Sequence, residues 1–464
     1  MNDNPERAIV RLPESRLEKS ASAANRIVAA MIDETLVLAR SEALSLCHQA
    51  NARFTIGSYE WCEPDYRQIL AWAKALALDP EIVIERLLDD RSIRERPSRF
   101  PSWAGTRFED GKIIALHWDL DHLPLEHFVW INGVDLLFLS FSAHSFDHGG
   151  TGKIVKTLQL PFPNLHSVSC GNLGLRELDL TRVGKLEVLE CCRTHIAHLD
   201  LSCVPLLKAL DCSETSVSEL DLSHTPHLAD LNCELTKVSA LNLSRTPNLA
   251  GLICGDTEIS ELDLSEQPSL KQLICGRTNI SFLNLCSAPR LTYLDCRETP
   301  IEELDLTAVP HLDLLWCSCT RIIELDLSQV SQLTSLDCDF DMALDLSDVP
   351  KLEYLNWQCL TIESEEPALS GVPNLRELGF IGAQGASITR LDLSAVPKLE
   401  RLSLQVNCKL VTLDLSAVPN LTELFCSHTS ITELDIRPLT GLKILYYDVS
   451  QTRLLQRSDQ NFKR

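Results

Sequence analysis

A cysteine recurs every 21 residues, nine times in succession, through the middle of this 464-residue chain. Each stands at the sixth place of a unit of the form L-x-x-L-x-C-x-x-T-x-I-x-x-L-D-L-S-x-x-P-x, whose places are numbered here as positions 1 to 21. A fixed period of this length indicates stacked structural units that each pack on the next, in place of one closed globular core. The nine are Cys170, Cys191, Cys212, Cys233, Cys254, Cys275, Cys296, Cys317 and Cys338.

The repeat continues beyond the regular cysteines. Its first Leu recurs at intervals of 21 from Leu165 to Leu333, and the spacing becomes irregular from Leu352 to Leu442, which gives fourteen units. Because L-x-x-L-x-C alternates with period two, Leu and Cys should face one side of a short strand and the residues between them the other. Stacking should pair these strands in parallel, about 4.8 Å apart. A lone unit buries too little apolar surface to fold, so stability is expected only from the stack.

The unit resembles the leucine-rich repeat, whose pattern L-x-x-L-x-L-x-x-N/C-x-L is met by LEVLECCRTHI, LKALDCSETSV and LTYLDCRETPI. The 21-residue length with a second L-D-L segment is similar to a bacterial short subclass of that family. In the family an Asn bonds backbone groups of the turn. Here Thr stands in its place, and its hydroxyl could bond these groups more weakly. We therefore expect an α/β solenoid dominated by β, a leucine-rich repeat stack of about fourteen units with parallel strands, preceded by a small α-helical domain.

The segments outside the repeat give the remaining domain boundaries. We predict a disordered tail over 1–14, a helical N-terminal domain over 15–104, degenerate cap repeats over 105–164, the solenoid over 165–441, and a C-terminal cap and tail over 442–464. Helices are expected over 15–50, from an N-cap at Asp65 to Leu78, and from Pro80 to Leu88. Strand-like stretches lie at 112–118, 134–141 and 154–160.

The charge balance restricts the class of partner. The chain has 42 Lys and Arg against 65 Asp and Glu, and residues 111–464 hold 27 of the basic and 47 of the acidic side chains. A surface this negative repels phosphate backbones and anionic lipids, which disfavours nucleic acid and membrane as partners and favours a basic protein surface. The first twenty residues contain no apolar signal region and no run of 18 apolar residues occurs, so we expect a cytoplasmic protein with reduced thiols. Secretion through a specialised system is a minor alternative.

Three groups of residues could hold a metal ion, and each has a second interpretation. The cysteine row could bind metal, but thiols on separate rungs facing leucines favour core packing. The Asp at position 15 could bind cations, but acceptance of backbone N–H bonds in the turn is favoured. The stretch from His117 to His148, rich in His and Asp, is more typical of a polar loop, and its metal binding stays open. No catalytic motif is evident, so the sequence predicts neither an enzyme nor a cofactor.

The outward positions of the first strand are the main functional signal. Positions 3, 5, 7 and 8 form the expected concave face, which combines acidic residues with aromatic residues on neighbouring rungs. Exposed aromatic clusters of this kind are typical of protein-binding sites. We therefore predict a non-enzymatic protein-recognition module. The alternative is an effector or defence component in which the N-terminal region acts and the repeats select the target. The candidate partner-binding residues are Tyr293, Asp295, Glu298, Leu314, Trp316, Asp337, Asp339, Phe340 and Tyr354.

Overall fold

The structure, a computed structural model, describes residues 53–88, 106–109, 112–119, 130, 134, 136–142, 156–339, 343–359, 368–382, 390–404, 410–458 and 460. The predicted tail over 1–14 and helix over 15–50 lie outside these residues. The chain separates into two compact units, residues 1–155 with 161–165 and residues 156–160 with 166–464. Within the described ranges, no helix is long and apolar enough to cross a membrane.

The first unit combines a hairpin, two helices and three further strands. Two antiparallel strands lie within the segment that the sequence assigned to a helical domain. The helix α2 agrees with the prediction, since Asp79 caps it by accepting a hydrogen bond from the Glu81 N–H at 2.9 Å. The elements are β1 Arg53–Ile56, β2 Tyr59–Cys62, α1 Glu63–Leu76, α2 Pro80–Leu87, β3 Arg107–Glu109, β4 Lys112–Asp119 and β5 Phe138–Ser142.

The predicted N-cap of α1 is wrong. The helix begins at Glu63 with Cys62 as its N-cap, so Asp65 lies inside its first turn. The Asp65 side chain is buried and accepts a hydrogen bond from the Ile113 N–H at 2.9 Å. The carboxylate is therefore used for a contact between α1 and β4, which the local sequence could not reveal.

The second unit is the predicted solenoid. Fourteen short parallel strands follow one another from β7 to β24, one per repeat, and each pairs with the next in the same register. They are β7 Ser167–Ser169, β9 Val188–Glu190, β10 Ala209–Asp211, β11 Asp230–Asn232, β12 Gly251–Ile253, β13 Gln272–Ile274, β14 Tyr293–Asp295, β15 Leu314–Trp316, β17 Ser335–Asp339, β19 Tyr354–Cys359, β20 Glu377–Gly382, β21 Arg401–Ser403, β22 Glu423–Cys426 and β24 Ile444–Tyr447.

The second L-D-L segment forms strands in only some of the units. Where it does, the strands pair in parallel, β6 with β8, β16 with β18 and β23 with β25. A 3-10 turn, Leu369–Gly371, lies near the irregular units. The remaining strands are β6 Thr157–Gln159, β8 Glu177–Asp179, β16 Glu324–Leu325, β18 Ala343–Leu344, β23 Glu433–Asp435 and β25 Arg453–Leu455.

The core of the solenoid is the stacked Leu and Cys face of the strands. All nine regularly spaced cysteines are 0% exposed, and Trp357, Phe380 and Leu404 fill the same position in later units. Burial in this apolar environment raises the pKa of the thiols, to about 12 for Cys296. The core-packing interpretation of the cysteine row is confirmed, because a buried thiol acts here as a small apolar side chain.

The polar rows of the repeat stabilise its turns. In eight units the Thr hydroxyl donates to the carbonyl of the cysteine three residues earlier, at 2.6–2.9 Å. Ten Asp side chains of the second segment accept from the backbone N–H two residues later, at 2.8–3.0 Å. Hydrogen bonds from the side chain and the backbone of that later residue lower the pKa of each of the ten carboxyls. The turn role predicted for the Asp row is confirmed.

Position 8 has a conformation that the sequence did not indicate. In nine units it is left-handed, with φ between 52° and 61°, although none of these residues is Gly. In seven of these units the backbone N–H donates to a carbonyl of the next unit, for example from Leu235 to Gly255 at 3.1 Å. At Cys319 and His428 it donates to an Asp carboxylate of the next unit. The stack therefore imposes a backbone conformation that L-residues ordinarily avoid.

Candidate functional site

Two parallel rows of side chains on the outer strand face contain most of the predicted site. Because β14, β15, β17 and β19 share one register, position 3 aligns Tyr293, Leu314, Ser335 and Tyr354. Position 5 aligns Asp295, Trp316, Asp337 and Asn356. Side chains two residues apart point to the same side of a strand, opposite to the Leu and Cys face. The aromatic and acidic residues that the sequence selected are therefore brought together on one surface.

Trp316 lies at the centre of this surface and is half-buried. Its ring meets Tyr293 edge to face, with 5.2 Å between ring centroids. Its indole N–H donates to the Ser335 hydroxyl at 3.3 Å. The Arg297 guanidinium carbon lies 4.5 Å from the centroid of the Trp316 ring, within the range of a cation–π contact. The orientation of the indole is thus fixed from three sides.

Arg297 connects the two buried carboxylates, and the sequence interpretation missed it. Its Nε and NH2 atoms donate to Oδ1 and Oδ2 of Asp295 at 3.0 and 2.7 Å. Its NH1 atom lies 3.8 Å from Oδ2 of Asp337, two rungs away. The bond to Asp295 raises the pKa of the arginine. Its place at outward position 7, beside the aromatic rungs, was the signal that could have identified it. Tyr293, Asp295, Arg297, Trp316, Asp337 and Tyr354 are called the aromatic–acidic cluster below.

The carboxylates of the face are more buried than their outward position suggested. Asp295 and Asp337 are each only 5% exposed, and Asp339 is buried as well. Rungs about 4.8 Å apart let neighbouring side chains cover short carboxylates. Burial raises the pKa of Asp337, with hydrogen bonds from Ser318 and Asn356 and the charge of Arg297 acting in the opposite direction. Tyr354, at 36% exposed, is the more accessible part of the cluster.

Three predicted site residues lie outside the two rows. Glu298 occupies the left-handed position 8 and forms an ion pair with Arg277 at 2.9 Å. Asp339 accepts a hydrogen bond from the Cys319 N–H at 2.9 Å, so it contributes to a turn. Phe340 lies outside the described residues.

A shallow depression of about 180 Å³ lies beside the cluster. Gly255 and Gly276 occupy position 7 there, where neighbouring units carry side chains. Its walls combine carboxylates with two arginines, and Asp295, Arg297 and Glu298 belong to both the depression and the predicted face. The lining residues are Glu234, Gly255, Asp256, Ile274, Gly276, Arg277, Asp295, Arg297 and Glu298.

Of the histidines in the stretch rich in His and Asp, only His117 lies among the described residues. His117 lies on β4, where its Nδ1 is 2.8 Å from the Ser140 hydroxyl. The other histidines of the stretch, at 122, 127, 144 and 148, lie outside the described residues. Across the part of the chain that is described, no group of three His, Cys, Asp or Glu side chains is placed to hold a metal ion.

Comparison with solved structures identifies the solenoid as a leucine-rich repeat fold. The functional domain of InlJ from Listeria monocytogenes, which includes a cysteine ladder, is 28% identical, with a TM-score of 0.53 over 74% of this chain and 67% of that one. YopM, a leucine-rich effector protein from Yersinia pestis, is 19% identical, with a TM-score of 0.53 over 85% of this chain and 98% of that one. The TLR13–ssRNA13 complex is 17% identical, with a TM-score of 0.50 over 69% and 51% of the two chains.

The bacterial short-repeat subclass fits the stacked coils of about 21 residues. The cysteine ladder is the feature shared most specifically with the Listeria domain, since both place Cys in successive rungs. No protein-family model and no curated protein matches the sequence.

Proposed function

We propose that this protein is a non-enzymatic recognition module that binds a partner protein through the aromatic–acidic cluster. The observation that carries the proposal is the partly exposed pair Trp316 and Tyr354 on a regular strand face that also holds Asp295 and Asp337. Aromatic side chains held rigidly by their neighbours lose little conformational freedom on binding, and they are enriched among the residues that dominate binding energy. Fixation of the indole by Tyr293, Ser335 and Arg297 supports such a role.

The partner is proposed to be basic at its contact surface and to meet the protein in the cytoplasm. The formal net charge of −23 supports electrostatic attraction of a basic partner. Binding should therefore weaken as salt rises, because ions screen attraction between exposed charges. The alternative, in which the N-terminal region acts and the repeats select its target, stays a prediction.

The test is affinity capture of interacting proteins with wild type and with Trp316→Ala/Tyr354→Ala, identified by mass spectrometry. A partner captured by wild type should be reduced about 30-fold or more in affinity for the double variant, which corresponds to the loss of one dominant contact. The fold should persist, because the Leu and Cys core below is unaltered, and circular dichroism checks this.

The matched control is Phe282→Ala/Ile323→Ala. These side chains are 69% and 73% exposed, but they occupy positions 13 and 12 in the second segment of their units. Their removal should leave capture unchanged. If the control variant loses the partner and the cluster variant retains it, the binding surface is the second segment and the proposal is wrong.

A further inference from the structure

Three outward polar residues at position 5 of the solenoid accept a hydrogen bond from their own turn. Oδ1 of Asp211, Asn232 and Asp295 accepts a hydrogen bond from the backbone N–H two residues later, at 3.0, 3.2 and 3.1 Å. In each of these units the strand ends at position 5, so the following N–H is free to turn back to the side chain.

Asp337 occupies the same position and departs from this pattern. Strand β17 continues to Asp339, which pairs with Gln358 of β19, so the chain remains extended where the other units turn. The Arg297 guanidinium lies near its Oδ2 atom, at 3.8 Å. Oδ1 is buried and has no hydrogen-bond partner among the described residues.

An apolar residue would fit this place in the row. Ile253 and Ile274 occupy position 5 in two neighbouring units, where Ile253 is buried. A buried carboxylate oxygen without a donor destabilises the folded state, and it calls for an explanation such as a ligand that supplies the donor. The unsatisfied oxygen also lies directly between Trp316 and Asn356 in the strand register, within the aromatic–acidic cluster.

The contacts of Arg297 indicate which kind of side chain this surface can bind. Its guanidinium pairs with the carboxylate of Asp295 and stacks on the ring of Trp316. Asp337 offers a second carboxylate on the other side of the same ring, next to the exposed ring of Tyr354. A basic side chain could therefore find an acceptor and an aromatic surface together, as Arg297 does.

We infer that Asp337 is the specific acceptor for a lysine or arginine side chain of the bound partner, whose N–H donates to Oδ1 once the side chains that cover this atom in the free protein move aside. This inference rests on the proposed function, because it specifies which group of the partner enters the cluster.

Fluorescence anisotropy of the full chain with labelled peptides tests the inference. One peptide alternates glycine with arginine, a second glycine with lysine, and a third glycine with glutamine. Asp337→Asn should weaken the affinity for the arginine peptide, the lysine peptide or both by about tenfold or more, since a charge-assisted hydrogen bond is lost. The glutamine peptide should not bind.

Asp348→Asn is the control for charge. This exposed residue lies in the turn after the second segment, and its substitution changes the net charge equally. It should leave peptide affinity unchanged. Equal weakening by both variants would show general attraction and overturn the inference, as would unchanged binding by Asp337→Asn.

Thermal unfolding provides an independent readout. Asp295 is equally buried, but both of its oxygens have donors. Asp295→Asn should therefore lower the unfolding midpoint, whereas Asp337→Asn should leave it unchanged or raise it. Equal losses would mean that Asp337 is a structural carboxylate and would overturn the inference. If Asp337→Asn does not fold, Asp337→Ile, which copies the position 5 residue of the rungs three and four units earlier, replaces it.

The outcomes separate this inference from the proposed function. If Trp316→Ala/Tyr354→Ala loses the captured partner while Asp337→Asn retains both partner and peptide, the face binds and Asp337 is not its acceptor. If neither variant loses the partner, both proposals fail.

Discussion

The cysteine ladder predicts a specific order of stability among substitutions at one rung. Cys254 is 0% exposed and lies between Cys233 and Cys275 on adjacent rungs. Cys254→Ala removes one heavy atom from a packed row, comparable to Ile→Val, and should lower the free energy of unfolding by about 1 kcal/mol. Cys254→Ser fills nearly the same volume as cysteine but buries a hydroxyl among leucines. Its loss in the free energy of unfolding should exceed that of Cys254→Ala by about 1–3 kcal/mol. The serine variant should therefore be the less stable of the two.

Urea unfolding measures this order. Repeat arrays can lose two-state behaviour, so the transition is followed both by far-UV circular dichroism and by tryptophan fluorescence. The comparison of variants requires that the two transitions coincide. The three proteins can then be compared by their midpoints at equal slope. Cys286→Ser is the control, since Cys286 is exposed, and it should unfold like wild type. If Cys254→Ser is as stable as Cys254→Ala, or more stable, the row accepts a hydroxyl. That result would refute the description of the cysteines as a dry apolar row.

Two further predictions concern the turns. Ten Asp residues have a pKa below the ordinary value in the folded protein, about 2 for Asp435. As pH falls from about 4 towards 2, the unfolded chain therefore binds more protons than the folded chain. Stability should be lost over this range despite the opposite contribution of Glu190, Asp230 and Asp337, whose pKa is raised, and a urea midpoint that stays constant would contradict this. Leu235→Gly should raise or preserve the unfolding midpoint, because φ is 56° and the left-handed region costs L-residues about 1–2 kcal/mol. Lys237→Gly should lower the free energy of unfolding by about 0.5–1 kcal/mol, and a larger loss at Leu235 than at Lys237 would contradict the strain argument.

The repetitive part of the fold was predictable because each repeat gives the same evidence again. Period-two alternation placed Leu and Cys inside, and the Thr and Asp rows suggested turn hydrogen bonds that the structure contains. Errors arose where one residue acts outside its own repeat or helix. Asp65 looked like a helix cap from its neighbours in sequence, yet it bonds a strand 48 residues away.

The candidate site was predictable in outline only. The alternating pattern placed Tyr293, Trp316 and Tyr354 at outward positions, and the structure has them close together on one face. Arg297 was missed, because its importance comes from reaching across a rung to Asp337, and a pattern within one unit does not contain that distance. The orphaned oxygen of Asp337 was equally hidden, since it results from the extension of β17 by two residues.

The sequence by itself determined the stack, its parallel register and which side chains face the core, since these follow from a period of 21 with alternation by two. Only the tertiary structure decided how deeply the outward carboxylates are covered, which backbone positions become left-handed, and which arginine pairs with which acid. The physical reason is that burial and hydrogen bonding on this face depend on side chains from adjacent rungs, about 4.8 Å away in space but 19–24 residues away in the chain.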